Sequence, residues 1–193
     1  MEFIETLLIK NAQIQNFKYH LSRVQKSYNY FKWKFNLKEW EELRKKHWEK
    51  ETSRLRITYS AYGIKLIETF PLKKREFKKF KIVKINFDYS FKYKNRKHFE
   101  KIHNQYRGYD EFILVKNGFI TDTTISNLAF FTGKEWVTPK YPLLKGTKRE
   151  ELLKKGFLKE EIIKLSDLRF FKKFAMINAI LDFEEKEMSC IKF

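Results

Sequence analysis

A chain of 193 residues, 42% hydrophobic and 18% aromatic, carries enough apolar side chain to build a packed core, which excludes intrinsic disorder. Six glycines and three prolines exclude a collagen-like tract or a long flexible linker. The formal charge of +18 is spread over Lys73-Lys74-Arg75, Lys78-Lys79, Lys154-Lys155 and Lys172-Lys173 with acids interleaved, so it reads as a general lysine bias rather than a dedicated nucleic-acid surface.

In chain order, Phe3 to Ile9 reads as a strand and Asn11-Ala12-Gln13 as a turn. Phe17, Leu21, Val24, Tyr28 and Phe31 then recur at helical spacing, which predicts an amphipathic helix over 17–31. A second helix is expected from Leu37 to about Trp48, with Trp40, Leu43 and His47 on one stripe. Leu55 to Tyr59 alternates with period two, and a Ser-Ala-Tyr-Gly turn leads to another strand through Ile67. Lys81 to Tyr89 is strand-like, and a helix is expected from Asn95 to Tyr106.

The second half is dense in hairpin signals. Phe112 to Val115, the turn Lys116-Asn117-Gly118 and Phe119-Ile120-Thr121 form one hairpin; Leu128 to Phe131, Thr132-Gly133 and Trp136-Val137 form another. A short helix from about Arg149 to Lys155 stops at Gly156. The expectation is an α+β chain, with a small N-terminal unit over 1–85 and a strand-rich unit over 86–193.

The opening MEFIETLLIK places acids where a secretory leader needs a basic region, and no apolar run reaches the length of a membrane span. The single Cys190 can neither close an intrachain disulfide nor build a zinc site. A cytoplasmic protein without membrane or metal is expected.

Three segments carry candidate chemistry. Leu144-Lys145-Gly146-Thr147-Lys148-Arg149 opens a helix, where backbone N–H groups and the helix dipole favour an anion; an ordinary helix start reads the same way. Thr121 to Asn127 is a run of small polar residues that supplies one carboxylate, Asp122, or is simply a turn. Phe91 to Arg96 holds two lysines, Lys92 and Lys94.

Together, and in order, these segments resemble the class IV (D-amino-acid/branched-chain aminotransferase-like) family of pyridoxal-phosphate enzymes. Phe3-Ile4-Glu5-Thr6 and Tyr19-His20-Leu21-Ser22-Arg23 are similar to its N-terminal strand and His-x-x-Arg helix. Lys92-Tyr93-Lys94-Asn95-Arg96 resembles the Lys-x-x-Asn-Arg segment of its lyase branch, and Gly118 to Asp122 with Ser126-Asn127 its Gly-x-(Val/Ile)-(Thr/Ser)-Glu segment followed by Asn. Trp136 to Pro139 and Leu144 to Arg149 resemble its Thr-Pro and Leu-x-Gly-Ile-Thr-Arg elements.

The resemblance implies pyridoxal 5'-phosphate as cofactor, attached covalently to Lys92, with Lys94 the competing amine. It implies that Asp122, one methylene shorter than the family glutamate, pairs with the protonated pyridine nitrogen, and that Arg23 contacts the phosphate. Backbone N–H groups of Thr147 and Lys148, after Gly146, would complete the phosphate cradle; Ser126 and Asn127 would line the cofactor side. Phe87, Tyr89, Phe91 and Tyr93 are expected to desolvate the lysine. Ile177-Asn178-Ala179 replaces the small hydroxyl residues usual by the phosphate. The implied activity is a lyase acting on 4-amino-4-deoxychorismate, a small anionic substrate, with an aminotransferase as the alternative and a homodimer as the assembly.

Overall fold

The computed structural model describes residues 1–192, and its contacts group into two units. The first comprises residues 1–74 together with 91–95; the second comprises 75–90 and 96 onward. The sequence reading placed one break at 85. By contacts the change falls after Lys74, and the short segment carrying Lys92 returns to the first unit.

The first unit is a four-stranded sheet with helices. Strand β1 (Phe3–Lys10) turns through Asn11 and Ala12, both at positive φ, into β2 (Gln13–Ile14). Helices α1 (Phe17–Tyr30) and α2 (Leu37–Lys45) follow, then the hairpin β3 (Ser53–Ser60) and β4 (Gly63–Pro71). The order is β2-β1-β3-β4, antiparallel throughout. The period-two alternation of β1 and β3 sends Phe3, Leu7, Ile9, Leu55, Ile57 and Tyr59 into one core with Val24 and Tyr28 of α1 and Trp40 and Leu43 of α2. Helix α2 ends at Lys45, short of the expected Trp48: Lys46 turns to ψ 143°, His47 is exposed, and Trp48 packs on the core from outside the helix.

The second unit is built on a larger mixed sheet. Its elements are β5 (Phe80–Ile85), α3 (Lys97–Gln105), β6 (Glu111–Lys116), β7 (Phe119–Thr123), β8 (Asn127–Phe131), β9 (Trp136–Pro139) and α4 (Thr147–Lys154). Then come β10 (Leu158–Glu161), β11 (Lys173–Asn178), β12 (Asp182–Glu187) and β13 (Ile191–Lys192). The order runs β10-β9-β8-β7-β6-β5-β13, with β11 also paired to β8 and carrying β12. Asn117 (φ 51°) and Gly118 (φ 82°) make the β6–β7 hairpin turn that the Asn-Gly pair predicts. Strand β5 stops at Ile85, four residues short of the expected end at Tyr89. No helix among the described residues is long and apolar enough to cross a membrane.

Candidate active site

In the first unit, residues 91–95 lie along β1. The Ile4 N–H donates to the Lys92 carbonyl at 2.9 Å, the Lys94 N–H to the Glu2 carbonyl at 3.0 Å, and Phe3 bridges to Tyr93. The Tyr93 N–H also donates to the Phe91 carbonyl at 2.8 Å, a tight turn centred on Lys92, and Phe91 and Tyr93 pack on Phe3 at centroid distances of 6.1 and 5.1 Å. Lys94 Nζ is exposed and paired with Glu2 Oε2 at 2.9 Å. Of the two candidate lysines, only Lys92 is half-buried and within electrostatic reach of the polar interior of this unit.

That interior is centred on Glu5, which is completely buried on the same face of β1 as Phe3 and Leu7. Arg23 donates to it twice, Nε to Oε1 at 2.9 Å and Nη2 to Oε2 at 2.6 Å, and His20 Nδ1 lies 2.6 Å from Oε2. Burial alone would raise the Glu5 carboxyl; the Arg23 charge and the His20 bond overcome it and hold the group at about 2. His20 is lowered, chiefly by burial, with Arg23 and Lys92 adding repulsion against the pull of Glu5. Burial thus favours the neutral imidazole, and Nδ1 faces a carboxylate that already has a counter-charge in Arg23. Glu5 was quoted only as part of a motif in the sequence. Its signal was an acid in the inward phase of an otherwise apolar strand.

In the second unit, Asp122 on β7 is buried. Its Oδ1 accepts from Asn127 Nδ2 at 2.7 Å and its Oδ2 from the Leu144 N–H at 2.8 Å. Desolvation pushes its carboxyl up to about 7, against these two bonds and the charge of Arg149. Asn127 gives its second amide proton to the Leu144 carbonyl at 2.8 Å. Gly146 immediately precedes α4 with extended backbone, and no side chain caps that helix end. A Cβ at Gly146 would stand 1.9 Å from Asn127 Oδ1, so only glycine allows the loop to lie this close. Ser126 is buried, its Oγ 2.9 Å from Thr123 Oγ1. Lys148 Nζ is engaged by Glu151 at 3.0 Å and by Asp182, so its charge is compensated within the protein.

Residues 2–183 match the class IV aminotransferase family. An uncharacterized protein of Haemophilus influenzae is 35% identical over 182 residues, covering 91% of this chain and 96% of that protein. A structure from Haemophilus somnus, provisionally assigned as a 4-amino-4-deoxychorismate lyase, superposes with TM-score 0.83 at 30% identity, covering 94% and 97% of the two chains. A Mesorhizobium loti structure, provisionally assigned as an amino-acid aminotransferase, shares the fold at TM-score 0.83 and 21% identity, covering 99% and 98%.

The chain belongs to the class IV aminotransferase family.

Membership makes it a pyridoxal-phosphate-dependent enzyme with the class IV fold, as the resemblance implied. The residues present fit that cofactor. Among the described residues Asp122 is a buried acid with no cation bonded to it, able to take a pyridinium N–H, and Gly146 keeps the mouth of α4 clear of any Cβ. Within the first unit the structure brings together Lys92, His20, Arg23 and Glu5; within the second it brings together Asp122, Ser126, Asn127, Gly146 and the start of α4. Of the four aromatics expected around Lys92, Phe91 and Tyr93 pack on Phe3 in the first unit; in the second, Phe87 stacks on His98 at 4.6 Å and Tyr89 packs on Phe99 at 4.8 Å.

Proposed function

We propose that this enzyme is a 4-amino-4-deoxychorismate lyase, releasing 4-aminobenzoate and pyruvate. The observation that carries the reading is the likeness to the Haemophilus somnus protein: 30% identity with almost the whole of both chains covered, so the two share the same short form. A 54-residue stretch that is 41% identical to a Schizosaccharomyces pombe protein, provisionally assigned as an aminodeoxychorismate lyase, points the same way. That stretch covers 27% of this chain and 23% of the yeast protein.

Bound pyridoxal phosphate supplies a sink for the electron pair left at the substrate Cα when its proton departs. The rest falls to the chain. Lys92 Nζ is the amine that holds the cofactor and takes the Cα proton. Asp122 keeps a proton on the pyridine nitrogen: a carboxyl whose burial has raised it gains a counter-charge on pairing and ionises. The N-terminus of α4 binds the phosphate through the backbone N–H groups of Thr147 and Lys148, where the helix dipole adds to the hydrogen bonds. Arg23, fixed as a fork by Glu5, is the side chain that the family resemblance assigns to the cofactor phosphate. Elimination of the enolpyruvyl group leaves an aromatic ring, which makes the release of product favourable. The net charge of +18 on the chain favours a dicarboxylate substrate. We place the enzyme in the cytoplasm as a homodimer.

Mixing the purified, cofactor-loaded protein with 4-amino-4-deoxychorismate and following 4-aminobenzoate fluorescence tests the reading. Product without any 2-oxo acid is the expected result. Turnover only when a 2-oxo acid is added would replace it with an aminotransferase.

A further inference from the structure

Thr124 lies two residues after Asp122 and three before Asn127, and each of its polar groups is held by a side chain that the chemistry above leaves without a task. Its N–H and its hydroxyl both donate to Glu111 Oε1, at 3.0 and 2.6 Å. Its carbonyl accepts from Arg96 Nη2 at 2.6 Å. Its Oγ1 lies 3.0 Å from His103 Nε2. A hydroxyl has one proton, and here it goes to the carboxylate, so Nε2 of His103 is the ring nitrogen that donates.

Three separate places in the chain supply this grip. Arg96 precedes α3 and is stacked on Phe99 at 4.7 Å. His103 is in the last turn of α3, edge-on to Phe112 at 4.9 Å. Glu111 opens β6 and is fully buried, its Oε2 without a hydrogen-bond partner. Burying an acid with one oxygen unsatisfied costs stability, and an apolar residue would fill the same space without that cost. Apart from the Phe112 N–H, which reaches Oε1 at 2.9 Å, the bonds that offset this cost both go to Thr124, just beyond the end of β7. Neighbouring bonds complete the loop: the N–H groups of Ile125 and Ser126 donate to Thr123 Oγ1 at 3.2 and 3.0 Å, and Asn178 Nδ2 donates to the Ile125 carbonyl at 3.2 Å.

We propose that Arg96, His103 and Glu111 are positioning residues that hold Thr124 and thereby set where Asp122 and Asn127 present their polar atoms to the cofactor. The proposal rests on the cofactor reading above. It predicts that removing the Thr124 hydroxyl, which is engaged by Glu111 and His103, weakens the cofactor site.

The test is titration of the full-length protein with pyridoxal phosphate, following the absorption of the bound cofactor across a pH series. Thr124→Val removes the hydroxyl at constant volume; Thr124→Ser keeps it. Thr124→Val should bind the cofactor about tenfold more weakly and move the pH midpoint of the bound band by at least about half a unit, and Thr124→Ser should restore both. Arg96→Met, at a partly exposed side chain, removes the carbonyl contact together with the bond to the Tyr89 hydroxyl, keeps an apolar stem over Phe99 and should act in the same direction, which keeps the test open if the valine variant does not fold. Wild-type-like affinity and an unmoved midpoint in folded Thr124→Val and Arg96→Met would overturn the positioning role while leaving the cofactor assignment intact. A wild-type protein that takes up no pyridoxal phosphate would overturn the cofactor assignment, and the proposal with it.

Discussion

Asn127 holds Asp122 by a single 2.7 Å hydrogen bond and spends its other amide proton on the Leu144 carbonyl, so one side chain ties the acid to the loop that leads into α4. Gly146 makes this possible by having no Cβ. Gly146→Ala should therefore displace Asn127, free Asp122 and weaken pyridoxal-phosphate binding by at least about tenfold. Overpacking of this kind costs about 1–3 kcal/mol of stability. Cofactor titration and denaturant melts of the variant check both figures.

The raised carboxyl of Asp122 has a consequence for the cofactor-free protein. Its folded value of about 7 lies some three units above the ordinary 3.8, so the folded state binds the proton more tightly than the unfolded chain does. The stability that this supplies is complete below pH 4 and is lost as the pH rises to about 7. At 1.36 kcal/mol per unit the upper bound is about 4 kcal/mol. Denaturation midpoints at pH 5 and pH 8 should show wild type losing more stability than Asp122→Asn over that interval. Bound cofactor should shrink the difference by supplying the counter-charge.

Glu5 behaves in the opposite sense. Held at about 2 in the fold against an ordinary 4.5, it contributes stability that is present above pH 4.5 and lost as the pH falls through 2. Glu5→Gln leaves the mostly buried Arg23 guanidinium without its counter-charge, and a loss of about 3–5 kcal/mol is expected. If Arg23 also serves the cofactor phosphate, adding pyridoxal phosphate should recover part of that loss, as thermal melts with and without cofactor will read.

Much of the fold is legible in the sequence. Helix α1 follows from apolar residues at 3.6-residue spacing, and the Asn117-Gly118 hairpin from the two residues best suited to positive φ. The end of α2 was overrun because Trp48 continues the apolar pattern, although it reaches the core from irregular chain. Strands β11 and β12 gave no turn signal strong enough to place them, and the pairing of β11 with β8 joins residues more than forty positions apart. At the candidate site, Lys92, Asp122 and Gly146 are named from motif order, and the structure adds their local partners. Thr124 was hidden inside a polar run, because what distinguishes it is the arrival of Arg96, His103 and Glu111 from elsewhere in the chain.

Lys94 offers a control. Its ammonium is exposed and paired with Glu2, so Lys94→Ala should leave both the affinity for pyridoxal phosphate and the bound absorption band unchanged.

The most direct measurement is to load the protein with pyridoxal phosphate, reduce it with borohydride, digest it and locate the phosphopyridoxyl group by mass spectrometry. The account predicts modification at Lys92 and its disappearance in Lys92→Ala. A label on Lys94, or one scattered over surface lysines with Lys92 unmodified, would contradict it.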